Sequence, residues 1–101
     1  MIIHGDFETR SEVELKDVGL DVYARHPSTD VWCFAWATND SEPMVWAPGM
    51  TTPALAFPFS FKRTTFYAHN AQFELAIWNH IMVPRYGWPV LHPERVRCTM
   101  A

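Results

Sequence analysis

The hydrophobic positions of this chain change period once. Up to residue 68 they come in short bursts bounded by turn formers. From residue 71 they recur every four residues. Ile2 and Ile3 open the chain with β-branched side chains, which suit a pleated surface, and predict a first strand running into Asp6-Phe7-Glu8-Thr9. Val31-Trp32-Cys33-Phe34-Ala35-Trp36-Ala37 is an unbroken apolar run between Asp30 and Asn39-Asp40-Ser41. That is the pattern of a strand buried on both faces. Glu42 to Ala47, centred on Met44-Val45-Trp46 and closed by Pro48-Gly49, reads as its antiparallel hairpin partner. Thr64 to Ala68 is a further strand by composition.

The period of four begins at Ala71. Phe73, Ile77 and Ile81 form one stripe in a stretch, Ala71 to Met82, that contains neither Gly nor Pro, so a helix is predicted there. Asn70 precedes it as a good N-cap, and Pro84 is expected to end it. Between the first two strands, residues 10–17 alternate acid and base and read as a solvated connection or a short helical turn, broken at Gly19. Asp21 to His26 predicts a short helix stopped at Pro27. Residues 51–62 carry Pro53 and Pro58 and read as a connector, with a short helix over Ala54 to Phe57. Val96 begins a new element. The expected class is α/β: three antiparallel strands with the acidic one among the inner members, a connector, a fourth strand, then the helix.

Composition sharpens this picture. The chain has 101 residues, 49% hydrophobic and 19% charged, which fits one domain with a packed core and excludes a disordered chain. Five Trp and seven Phe are a large apolar load for so small a volume. The expectation is that some rings line a binding surface or pack against further sequence. A net charge of −3 excludes a nonspecific basic DNA-binding protein. It leaves a nucleic-acid enzyme open, because metal ions neutralise acidic sites locally. Cys33 and Cys98 form no CxxC pair, so neither a zinc knuckle nor a disulfide scaffold is indicated and both read as reduced cytosolic thiols. No secretory leader or membrane-spanning run is seen.

The candidate chemistry is carboxylate chemistry. Alternate side chains of a strand share a face, so Asp6 and Glu8 point the same way, about 6.5–7 Å apart along the strand. Two like charges on a stiff strand repel, which is relieved if one takes a proton or a divalent cation sits between them. Hard cations such as Mg²⁺ and Mn²⁺ select carboxylate oxygens. Read alone, the pair is also what a solvated strand end looks like. Glu74 lies in the early part of the helix, one position round from the Phe73–Ile77–Ile81 stripe, and a charge there calls for an explanation.

Asp6-Phe7-Glu8-Thr9 together with His69-Asn70-Ala71-Gln72-Phe73-Glu74 resembles the 3′–5′ exonuclease domain of family A DNA polymerases of phages and prophages, a DEDD exonuclease with a ribonuclease H-like fold. Asp6 and Glu8 match the first family motif. Asn70, Phe73 and Glu74 match the second, with Glu in place of the usual Asp. The segments 23–31 and 97–101 also resemble phage polymerases, so the likeness spans nearly the whole chain. It implies a two-metal phosphodiesterase using Mg²⁺ or Mn²⁺ on a single-stranded or frayed DNA 3′ end, in the cytoplasm of a bacterial host or phage-infected cell. By family likeness, Asp6 bridges both metals, Glu8 helps bind the nucleophile-side metal and Glu74 reaches the second. Phe7, Thr9, Asn70 and Phe73 fall at substrate-binding positions, where aromatic rings can stack a terminal base. Phe73 is equally a core residue by its spacing, Asn70 equally a cap, and His69 a strand-end residue.

The family's third motif, a Tyr or His followed by an Asp on a late helix, has no counterpart here. No Asp follows Glu74, Tyr86 leads into Gly87-Trp88-Pro89, and Glu94 is the one later carboxylate. The resemblance therefore implies an incomplete ribonuclease H-like domain over residues 1–101, stopping before its last strand and helices and inactive alone. Its partner would be the missing C-terminal part of the domain or the polymerase. The alternative expectation is a non-enzymatic nucleic-acid-binding or protein-interaction remnant.

Overall fold

The computed structural model describes residues 2–38, 42–52 and 64–99. The connector helix expected over Ala54 to Phe57 lies outside them. The protein is α/β, built on one five-stranded mixed sheet in the order β3-β2-β1-β4-β5. β1 (Ile2–Arg10) is the central strand. It pairs antiparallel with β2 (Asp30–Thr38), which pairs antiparallel with β3 (Met44–Trp46). On its other side β1 pairs parallel with β4 (Thr65–Ala68), and β4 pairs parallel with β5 (Val96–Cys98). The acidic strand is thus an inner member, as expected. The expected order held four strands and a chain stopping before the last one. A fifth is present because residues 96–98, too short to carry a period of their own, find their register on β4.

The alternation of β1 assigns its faces. Ile3 and Phe7 are buried while His4, Asp6, Glu8 and Arg10 are exposed. Gly5 lies on the covered face, where a Cβ would stand 2.6 Å from Phe66 Cε2 and would also collide with Phe34. Helices lie over this face: α3 (Ala71–Ile77) against β1 and β4, α2 (Leu20–Arg25) against α3, and α1 (Leu15–Val18) against α2. The core is aromatic. Phe7 packs on Phe34 with centroids 4.4 Å apart, and Trp78 meets Trp88 edge-on at 4.7 Å. Among the described residues, most of the Trp and Phe rings are internal packing rather than binding surface. Trp32, 62% exposed, is the exposed ring among the described residues, and it also corrects the reading of β2 as buried on both faces.

The long helix does not run straight to Pro84. After Ile77 the backbone widens into a π turn over Trp78–Met82, in which the Val83 amide donates to the Trp78 carbonyl five residues back. A last α-helical turn, α4 (Val83–Tyr86), then carries Pro84 in its first positions. Proline is tolerated there because the first amides of a new helical segment need no partner. Termination falls instead at Gly87, whose φ of 75° is left-handed.

Candidate functional site

The site forms where β4 leaves β1. β4 pairs with β1 only through His4, so the edge of β1 beyond that residue has backbone groups without a strand partner. At Ala68 the chain turns through His69 and Asn70 into α3, which brings the first turn of that helix against the free edge. There Glu74 Oε2 accepts a hydrogen bond of 3.0 Å from the Phe7 amide. Phe7 stands between Asp6 and Glu8, so one backbone hydrogen bond fixes the helix carboxylate amid the two strand carboxylates.

Glu74 is only 2% exposed, whereas Asp6 and Glu8 are exposed. Burial drives the Glu74 pKa up to about 7. The Phe7 amide opposes this by stabilising the anion, and the charges of Asp6 and Glu8 reinforce it. The apolar stripe of α3 explains the burial, and the unpaired strand amide explains why a carboxylate occupies it.

Beside the carboxylates, the open face of the sheet holds a depression of about 350 Å³ bordered by His4, Asp6, Tyr67, His69 and Thr99. His4 and Tyr67 stack at 5.3 Å with ring planes 25° apart. The donors are oxygens of the kind hard cations select. As placed, however, no three His, Cys, Asp or Glu side chains among the described residues are grouped as a ligand set for a metal. The exposed carboxyls of Asp6 and Glu8 do not converge with Glu74 on one point. No catalytic step is derived through an ion on this arrangement.

The expected substrate-binding residues divide. Phe7 is 4% exposed and lies in the core, edge-on to Trp78 at 6.2 Å, so its ring is not available to a base. It faces the covered side because it alternates with Asp6 and Glu8. Phe73 is half-buried and packs on Tyr23 at 6.4 Å. Thr9 shares a 2.7 Å hydrogen bond with the Tyr23 hydroxyl, tying β1 to α2. Asn70 is exposed and makes no side-chain cap, while its carbonyl accepts the Glu74 amide at 3.2 Å. Tyr86 donates to Asp30 at 2.8 Å, and Arg85 lies 3.2 Å from the same carboxylate. Partial burial pushes the Asp30 pKa up, but the Val31 amide, Tyr86 and Arg85 outweigh it and hold it below the ordinary value. Sequence reasoning missed the Trp32–Arg10 pair described below, because a β-bulge has no single-sequence signature in an apolar run.

No helix among the described residues is long and apolar enough to cross a membrane. No family of known proteins, no curated protein and no solved structure matches the chain. The fold and the site define an α/β protein with an acidic cluster on its central strand.

Proposed function

We propose that this chain is a ribonuclease H-like nucleic-acid domain of the 3′–5′ exonuclease type. Its acidic strand is the remnant or the core of a divalent-cation site for a DNA 3′ end. The observation that carries this reading is the Glu74–Phe7 hydrogen bond, which holds a buried, proton-rich carboxylate between Asp6 and Glu8. The sheet order β3-β2-β1-β4-β5, with β1 antiparallel to β2 and parallel to β4, supports it as well. Asp6, Glu8 and Glu74 are the residues that would hold Mg²⁺ or Mn²⁺. A cation bound there would displace the Glu74 proton. Such cations supply charge stabilisation at a phosphodiester and a bound hydroxide. With no carboxylate matching the third family motif, hydrolysis by this chain alone is expected to be absent.

Calorimetric titration with Mn²⁺ tests the reading. Saturable binding with proton release is expected, and it disappears in Asp6→Asn. A folded protein that takes up no Mn²⁺ contradicts it. A second reading, a non-enzymatic nucleic-acid or protein-binding module, is favoured by the lack of a converged ligand set among the described residues. Under it, ligand binding is indifferent to Asp6→Asn.

A further inference from the structure

The register of β1 against β2 slips between Glu8 and Thr9. Glu8 pairs with Cys33 and Thr9 with Val31, leaving Trp32 as the extra residue of a β-bulge. Bulges re-aim side chains and concentrate beside functional sites. Here the bulge turns a tryptophan out to 62% exposure, the greatest among the large hydrophobic side chains of the described residues. Exposure of an indole is costly unless something covers it part of the time. The Arg10 guanidinium lies over this ring, 5.7 Å from its centroid. Arg10 alternates onto the same face of β1 as Asp6 and Glu8 and stands two residues beyond Glu8, about 7 Å along the strand.

The charge that lies over the ring is the Arg10 guanidinium. Arg10 Nη2 is 3.7 Å from Asp30 Oδ2, and Arg85 Nη1 is 3.2 Å from Asp30 Oδ1. Two guanidiniums thus share one carboxylate, which also receives the Tyr86 hydroxyl and the Val31 amide. Arg10 and the Val31 amide reach Asp30 from β1 and β2, and Arg85 and Tyr86 reach it from α4, so the carboxylate is spent. Arg10 and Arg85 border a cleft of about 360 Å³ with Ser11, Ser28, Asp30 and the exposed Glu12, so its arginines and carboxylates balance. An exposed indole with a guanidinium over it suits a ligand that alternates flat rings and phosphates.

We infer that Trp32 and Arg10 form a stacking platform for single-stranded nucleic acid. One base lies on the Trp32 face and the neighbouring phosphate lies against Arg10, one step along β1 from the acidic cluster. The choice of a nucleic-acid strand as occupant rests on the function proposed above. Base–aromatic stacking is tolerant of sequence, and its loss costs roughly 5- to 150-fold in affinity per base. The platform replaces Phe7, whose ring the core has taken.

The test is fluorescence anisotropy of a short labelled oligothymidylate with the whole chain, in chelator so that no metal contributes. Trp32→Ala is expected to weaken binding roughly 5- to 150-fold, with Trp32→Phe retaining most of the affinity. Arg10→Ala is expected to lower the slope of log affinity against log salt by roughly 0.7, the value for one single-strand phosphate contact. Absence of oligonucleotide binding by the unaltered chain, or equal binding by Trp32→Ala, overturns the inference. So does a Trp32→Ala effect confined to self-association, seen by sedimentation. Mn²⁺ titration of the same preparations separates the two ideas. Asp6-dependent Mn²⁺ binding with no Trp32 effect removes the platform and keeps the acidic site. A Trp32 effect with no Mn²⁺ binding does the reverse.

Discussion

The two faces of the sheet are built on opposite rules. The covered face is crowded with rings, and its strand positions are set by what fits. The open face carries His4, Asp6, Glu8 and Arg10 on the same strand, and its positions are set by charge. One β-strand therefore serves as the centre of the core and as the floor of the candidate site, with alternate residues assigned to each task. The lesson is that stability and chemistry here separate by side-chain parity, not by region of the chain. Changes one residue apart are expected to have different consequences.

The largest contrast is expected at Gly5. Its Cβ would enter the space held by Phe34 and Phe66, and neither ring can retreat, since Phe34 is also packed against Trp78 and Trp88. Overpacking of this kind costs roughly 3 kcal/mol, which for a domain of this size lowers the thermal midpoint on the order of 10–20 °C. Ala37→Ser, opposite His4 on the open face, is expected to stay within about 0.5 kcal/mol. Calorimetric melting of the two variants checks the contrast, and similar losses in both would erase the distinction between the faces.

Much of this architecture was legible in the sequence, and the limits were physical. β1, β2 and the β2–β3 hairpin were readable because each is a contiguous apolar burst with turn residues at its ends. The start of α3 was readable from the period of four, although the Asn70 side chain expected to cap it makes no such bond. The π turn was not, because Trp78–Met82 keeps the same apolar residues while only its hydrogen-bond register changes. β5 was visible only as a new element beginning at Val96, because three residues carry no period and need β4 as a template. At the site, the residue types of Asp6, Glu8 and Glu74 were visible in the sequence. That Glu74 reaches the Phe7 amide depended on where β4 stops, a tertiary fact. The assignment of Phe7 to substrate failed on parity alone: its neighbours face out, so it faces in.

Glu74 joins the two faces, being buried like the core and charged like the open side. Its pKa is raised from 4.5 to about 7, so the folded state holds a proton that the unfolded chain releases. Below about pH 4.5 both states are protonated and the folded state is not penalised. As pH rises through about 7 that advantage is lost, to the extent of about 3 kcal/mol. Glu74→Gln keeps an oxygen to accept from the Phe7 amide and removes the ionisation. The urea midpoint of the unaltered protein is therefore expected to fall between about pH 5 and pH 8 relative to that of Glu74→Gln, with the variant the more stable at pH 8. Parallel profiles would show that Glu74 is solvated rather than buried.

The smallest expected effect lies wholly inside the covered face, between two indoles that touch. Trp78 and Trp88 are both almost fully buried, so replacing either by Phe removes a similar volume and leaves a similar gap. Their N–H groups differ. Trp78 Nε1 donates to the Pro89 carbonyl at 2.7 Å, whereas Trp88 Nε1 is buried with no hydrogen-bond partner among the described residues. Trp78→Phe therefore loses the bond and strands a carbonyl, while Trp88→Phe removes an N–H that already bears its desolvation uncompensated. Trp88→Phe is expected to be the milder change by roughly 1–2 kcal/mol, as the difference between two urea midpoints at constant slope. Equal losses would mean that Trp88 Nε1 has found a partner, with bound water the first candidate, and that even the covered face admits solvent.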